Sequence, residues 1–214
     1  MPRLALIHAL AHSVAPINDA LARRWPQAER MNLLDDSLSA DLARSGALDE
    51  RMTQRFVALA DYAVGTGADA ILFTCSAFGP CIDAVAHRHA RLPVLKPNEA
   101  MVDDAMAQAA GGAIGLVASF GPTLLSMPAE FPSGQALHTA LADGALQALN
   151  AGDAATHDRL VADAAERLAR QGCRLIALAQ FSLARAEATV AARTGLPVLT
   201  TVGSAIERLR HRLG

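Results

Sequence analysis

At 214 residues, 52% of them hydrophobic and 19% charged, the chain can bury a substantial core, either as one large domain or as two small lobes. It has no apolar run of the roughly 18 residues that a membrane span needs, so a soluble protein with no membrane partner is expected. Formal net charge is −2 with both signs spread along the chain; there is no basic stripe to track phosphates, which argues against nucleic acid as a partner.

The chain opens with MPRLALIHAL, expected to form a first core strand over LALIHAL (4–10) rather than a leader, because no small-residue cleavage site follows before Arg23 and Arg24. A helix is predicted from about Val14 to Arg24. DAILFT (69–74) reads as a buried strand, Pro80 to His89 as a helix, and LPVLK (92–96) as another strand. NEAMVDDAMAQA (98–109) is helical by pattern. The sequence then repeats itself: strand AIGLVAS (113–119), helix HDRLVADAAERLARQ (157–171), strand RLIALA (174–179), strand LPVLT (196–200) and helix VGSAIERLRHRL (202–213). Gly67 and Gly172 both precede a strand, and the same offset of 105 lays Cys75 over Gln180. Pro93 and Pro197 are 104 apart, so LPVL recurs with a slip of one residue.

Strands alternating with helices imply parallel sheets covered on both faces. The fold expected is α/β with two pseudo-symmetric lobes. The first lobe would span 1–97 and the second 98–202, with a C-terminal helix over 203–214 packing back on the first. Open parallel sheets bind ligands beyond the carboxyl ends of their strands, so a cleft lined by the loops after Leu10, Thr74, Ala118 and Ala179 should hold the chemistry.

The strongest constellation on those loops is TCSAFGP (74–80), where a buried strand runs into a thiol flanked by Thr74 and Ser76 and then into a helix. Backbone N–H groups and the helix dipole lower a cysteine pKa, so a reactive, ionised Cys75 is expected; the bland alternative is a small buried hydrophobe. The matching loop AQFSLA (179–184) offers Gln180, which forms hydrogen bonds but carries no proton at neutral pH, and Ser182. ASFGPT (118–123) brings Ser119 and Thr123 to a strand end as an anion seat or as ordinary turn chemistry. It is no diphosphate cradle, since GxGxxG and GK[ST] are both missing. His8 and His12, at the end of the first strand and just past it, are candidates for a carboxylate contact or a second acid/base, or else structural groups. Glu99 reads as a helix N-terminal charge. The remaining cysteines, Cys81 and Cys173, read as core. Three cysteines without CxxC or Cys/His spacing exclude a metal site of the usual kind and point to a reducing, cytoplasmic setting.

TCSAFG after a buried DAILF strand, the loop repeated about a hundred residues later, the ASFGPT turn and the PVL-x-x-x-EAM junction together resemble the aspartate/glutamate/hydantoin racemase superfamily over essentially the full length. The resemblance implies two flavodoxin-like lobes with the active site in the cleft between them, and catalysis with no cofactor, neither pyridoxal phosphate nor metal. In that family a thiol on each lobe faces one side of the substrate α-carbon. Cys75 matches the first of these positions. Thr74, Ser76, Ser119, Thr123 and Ser182 match or neighbour the carboxylate-binding positions. Gln180 stands where the second thiol belongs, which puts plain two-base racemisation in doubt. Arylmalonate decarboxylase also keeps one thiol, but the second one, so this chain would be its mirror arrangement. The expected partner is a small carboxylate or amino-acid-like substrate, and the apolar composition is compatible with a homodimer. The rival reading is a non-catalytic small-carboxylate-binding protein; a nucleotide-binding flavodoxin-like protein is weakened by the missing phosphate loop.

Overall fold

The computed structural model describes residues 1–214, which divide into two compact units: Met1–Pro97 with Ala205–Gly214, and Asn98–Ser204. The first unit contains β1 (Arg3–His8), α1 (Val14–Arg24), β2 (Glu29–Leu34), α2 (Ser37–Ser45), α3 (Glu50–Gly65), β3 (Ala70–Phe73), α4 (Gly79–Arg88) and β4 (Val94–Leu95). The second contains α5 (Glu99–Ala109), β5 (Ile114–Ala118), α6 (Gly121–Ser126), β6 (Leu137–Leu141), α7 (Ala145–Asn150), α8 (Ala154–Arg170), β7 (Leu175–Leu178), α9 (Glu187–Thr194) and β8 (Val198–Thr200). Helix α10 (Thr201–Leu213) begins in the second unit and finishes in the first.

Each unit holds a four-stranded, wholly parallel sheet, ordered β2-β1-β3-β4 in one and β6-β5-β7-β8 in the other. The central strands are continuous apolar runs because both of their faces are covered. In the second unit the two faces separate cleanly along the strands. Val117, Ile176 and Leu178 pack with Val161, Leu168 and Val190 from α8 and α9, while Ile114, Leu116, Leu175 and Ala177 pack with Met101, Val102 and Ala105 from α5. That alternation is the period of two expected of a strand. In the first unit Ala5, Ile7, Ile71 and Phe73 meet Leu38, Phe56, Ala60 and Val85 from α2, α3 and α4.

The strands that the apolar pattern does not reveal are the edge strands β2 and β6. Each has one neighbour, and their sequences ERMNLL and LHTAL are only partly buried, so no continuous hydrophobic run marks them. Strand β1 ends at His8, short of Leu10, and β3 ends at Phe73: beyond them the chain turns, with the N–H of Asp35 donating to the carbonyl of His8 and the N–H of Thr74 to that of Ile7.

Gly67 and Gly172 lead into β3 and β7 with φ of 85° and 86°, a region that L side chains rarely adopt. They reverse the chain from α3 and α8 into the central strands, and so fix where each strand begins. Gly67→Ala and Gly172→Ala are each expected to destabilise the protein by about 1–2 kcal/mol, read as a lower midpoint of urea unfolding with unchanged slope.

Candidate active site

In the first unit β3 delivers Thr74 and Cys75 to the carboxyl end of the sheet, beside the end of β1. Cys75 has extended backbone (φ −130°, ψ 121°) and precedes a single 3-10 turn, Ser76–Phe78, that runs straight into α4. Phe78 is fully buried, with its ring centroid 4.8 Å from that of Phe56, which in turn stacks on Phe73 at 5.3 Å. This aromatic cluster ties the turn to α3 and β3. The thiol therefore sits on a rigid ledge rather than a free loop.

Cys75 is partly exposed, whereas Cys81 in α4 and Cys173 before β7 are buried. Ile7, Leu38, Phe56 and Phe73, together with His8 and Cys75, line a narrow apolar hollow with no room for a water molecule. This changes the expected ionisation. Desolvation in the hollow pushes the Cys75 thiol above its ordinary value, and the hydrogen bond from the Ala77 N–H only partly offsets this. A short 3-10 turn separates Cys75 from α4, which starts at Gly79.

His8 has no exposed surface, and both of its ring nitrogens are occupied: Nδ1 lies 2.9 Å from Thr74 Oγ1 and Nε2 lies 3.0 Å from Asn32 Oδ1. Burial holds its pKa below the ordinary imidazole value, with the Asn32 bond acting the other way. His8 thus offers no free nitrogen to a ligand. His12 lies in the exposed turn Ala11–Ser13. Ser76 opens the turn after Cys75 and is half-buried. Glu99 is the first residue of α5.

In the second unit Gln180 follows β7 as Cys75 follows β3, with the same extended backbone (φ −139°, ψ 148°) and again a 3-10 turn, Phe181–Ala186, behind it. Its Oε1 accepts from the Ser119 N–H at 2.7 Å and from Ser119 Oγ at 3.1 Å. Because a backbone N–H only donates, Oε1 is fixed as the atom facing Ser119, and the Nε2 donors point away from it. The expected nest at Ser119 is accordingly filled from within: both of its donors are held by Gln180. Thr123 is buried in α6, and Ser182 is half-buried in the turn after Gln180. The structure brings His8, Thr74 and Cys75 together in one unit and Ser119 and Gln180 together in the other.

Asn18 and Asn32 were not singled out from the sequence. Asn18 Nδ2 donates to the Val14 carbonyl at 2.8 Å and to Asn32 Oδ1 at 2.7 Å, and Asn32 Nδ2 returns a bond to Asn18 Oδ1 at 3.2 Å. A signal was present for the first: Asn18 shares with Val14, Ile17 and Leu21 the stripe that an amphipathic helix buries. No group of three or more His, Cys, Asp or Glu side chains converges as a metal site, and no helix is long and apolar enough to cross a membrane.

The sequence model of the Asp/Glu/Hydantoin racemase family matches residues 11–209. The chain belongs to this family of enzymes. No protein of curated function matches its sequence. Among solved structures, a glutamate racemase isoform from Bacillus anthracis superposes with a TM-score of 0.72 at 13% identity, covering 99% of this chain and 81% of that one. Unliganded arylmalonate decarboxylase gives 0.71 at 15% identity, covering 100% and 93%, and allantoin racemase from Klebsiella pneumoniae gives 0.70 at 16%, covering 100% and 88%. At these identities the likeness is one of fold, the two-sheet α/β architecture described above.

Partial exposure makes Cys75 the first of the three thiols that iodoacetamide should label in this racemase-family chain. Its raised pKa should keep that labelling slow at pH 7 and make the rate climb beyond pH 9, the ordinary thiol value. Mass spectrometry of peptides alkylated over a pH series reads both.

Proposed function

We propose that this racemase-family chain performs cofactor-independent proton transfer at the carbon next to a carboxylate of a small acid, with Cys75 as the proton carrier. The observation that supports this most is the position of that thiol: alone among the three cysteines it is partly exposed, at the carboxyl end of a central parallel strand, where such sheets bind ligands. The equivalent loop of the second unit carries Gln180, which does not titrate near neutrality.

A thiol held neutral acts first as an acid. The S–H proton passes to the α-carbon of a carbanion or enediolate, leaving a thiolate that water reprotonates before the next turnover. A thiolate desolvated in the dry hollow is in turn a strong base, since the burial that raises its pKa strengthens its affinity for a proton. With no second thiol on the equivalent loop, the carbanion is best supplied by breaking a bond other than C–H, as in loss of carbon dioxide from a malonate-like acid; racemisation or isomerisation would need another base. Ser76 and the N–H groups of the turn after Cys75 are the groups suited to carboxylate oxygens.

The test is a panel of 2-substituted malonates and α-amino acids incubated in deuterated water, followed by NMR for carbon dioxide loss or α-deuteration. The wild-type protein should turn over at least one acid, and Cys75→Ser should abolish this while unfolding at the same temperature. Unchanged turnover in Cys75→Ser would sink the proposal, and binding without any exchange would favour a small-carboxylate-binding protein. For a thiol working as an acid, kcat/KM should stay level through neutrality and fall only above about pH 9, as the S–H form is lost.

A further inference from the structure

The side chains behind the Cys75 ledge form a directed chain, and its direction can be deduced from one end. The Val14 carbonyl only accepts, so the atom of Asn18 beside it, 2.8 Å away, is the amide nitrogen. That nitrogen lies 2.7 Å from one terminal atom of Asn32, which must therefore be the acceptor Oδ1; the return bond from Asn32 Nδ2 to Asn18 Oδ1 agrees. His8 Nε2 lies 3.0 Å from the same Oδ1 and so must carry a proton. In the neutral ring Nδ1 is then a bare lone pair. Its partner at 2.9 Å, Thr74 Oγ1, must supply the hydrogen.

We infer that His8 is a positioning residue, locked by Asn18 and Asn32 in its Nε2–H form, which draws the Thr74 hydroxyl proton inward and so leaves Thr74 an acceptor toward anything beside Cys75. Resting on the proposed function, this reassigns the carboxylate contacts: Thr74 does not donate to a carboxylate while His8 is neutral, and Ser76 with the N–H groups of the turn takes that role. The direction of the hydrogen bonds does not depend on that function. Adding a proton at Nδ1 reverses the last bond. The ring would then donate to Thr74 Oγ1, and the Thr74 proton would be free to turn outward or to the Ile7 carbonyl 3.4 Å away.

The surroundings favour the neutral form. Facing the ring are the uncharged Asn18 on α1, Asn32 on β2 and Thr74 after β3, with Leu38 of α2 and Phe56 of α3 in the hollow. Cys75 is the titratable group that shares this hollow, and Asp35, just past β2, is paired with Arg55. Desolvation keeps the ring below its ordinary pKa, so protonation is confined to acid pH. The folded protein binds this proton less readily than the unfolded chain does. The stability tied to a neutral His8 is therefore present above pH 6.5 and declines as the pH falls below it.

Long-range 1H–15N correlation on the 15N-labelled protein at pH 8 tests this, with His8 assigned by its loss in His8→Asn. The expected pattern is a protonated Nε2 and an unprotonated, hydrogen-bonded Nδ1. Thr74→Val should shift the Nδ1 resonance further toward that of a free lone pair, and Thr74→Ser should restore it; a purely space-filling His8 would show no such shift and rescue. An Nδ1–H form overturns the inference, as does a Thr74→Val spectrum identical to the native one. Should Thr74→Val fail to fold, the native tautomer alone decides. Recording the same spectrum in Cys75→Ser separates the two questions, because the tautomer should persist there whether or not turnover is lost.

Discussion

The hollow beside Cys75 is too narrow for water, and each polar group that borders it must be satisfied by protein or held neutral. Much of the chemistry at this end of the first sheet follows from that. The imidazole of His8 has both nitrogens engaged, Thr74 turns inward to meet it, and burial pushes the Cys75 thiol up. A charge on either titratable group would be costly there. The burial that raises the thiol's pKa makes it a reluctant nucleophile at rest and would make its thiolate a stronger base.

Rigidity comes from the parallel sheet and the aromatic cluster beneath the ledge. Phe56, Phe73 and Phe78 lie on three successive pieces of the first unit, a helix, a central strand and the turn after the thiol, and their stacking fixes the last to the first two. The second unit repeats the topology with different contents. Gln180 occupies the post-strand position and closes onto Ser119, so that a potential anion nest becomes an amide with its nitrogen turned outward. One architecture therefore places a thiol on one loop and an amide on the other.

The repeat was legible because central strands of a parallel sheet write themselves as unbroken apolar runs, as in AILF and LIAL, and because Gly67 and Gly172 mark the same turn at the same spacing. Cys75 stands out for the same reason: it lies one residue past such a run. The edge strands did not, since ERMNLL and LHTAL are half-solvated and lack that signature. Three-dimensional contacts decide the rest. That Ser119 bonds Gln180, 61 residues away, or that His8 bonds Asn32 across a strand pair, is not written in any local pattern. At Cys75 a strand-to-helix junction suggests a lowered pKa, whereas burial beside side chains from β1, β3, α2 and α3 pushes it upward.

The stereochemistry of proton delivery addresses the central claim most directly. A prochiral 2,2-disubstituted malonate that the protein turns over in deuterated water should give a monocarboxylic acid with one deuterium at the α-carbon and a single configuration, because one thiol reaches one face. A racemic product, or deuteration that continues undiminished when Cys75 is replaced by serine, would contradict Cys75 as the proton carrier.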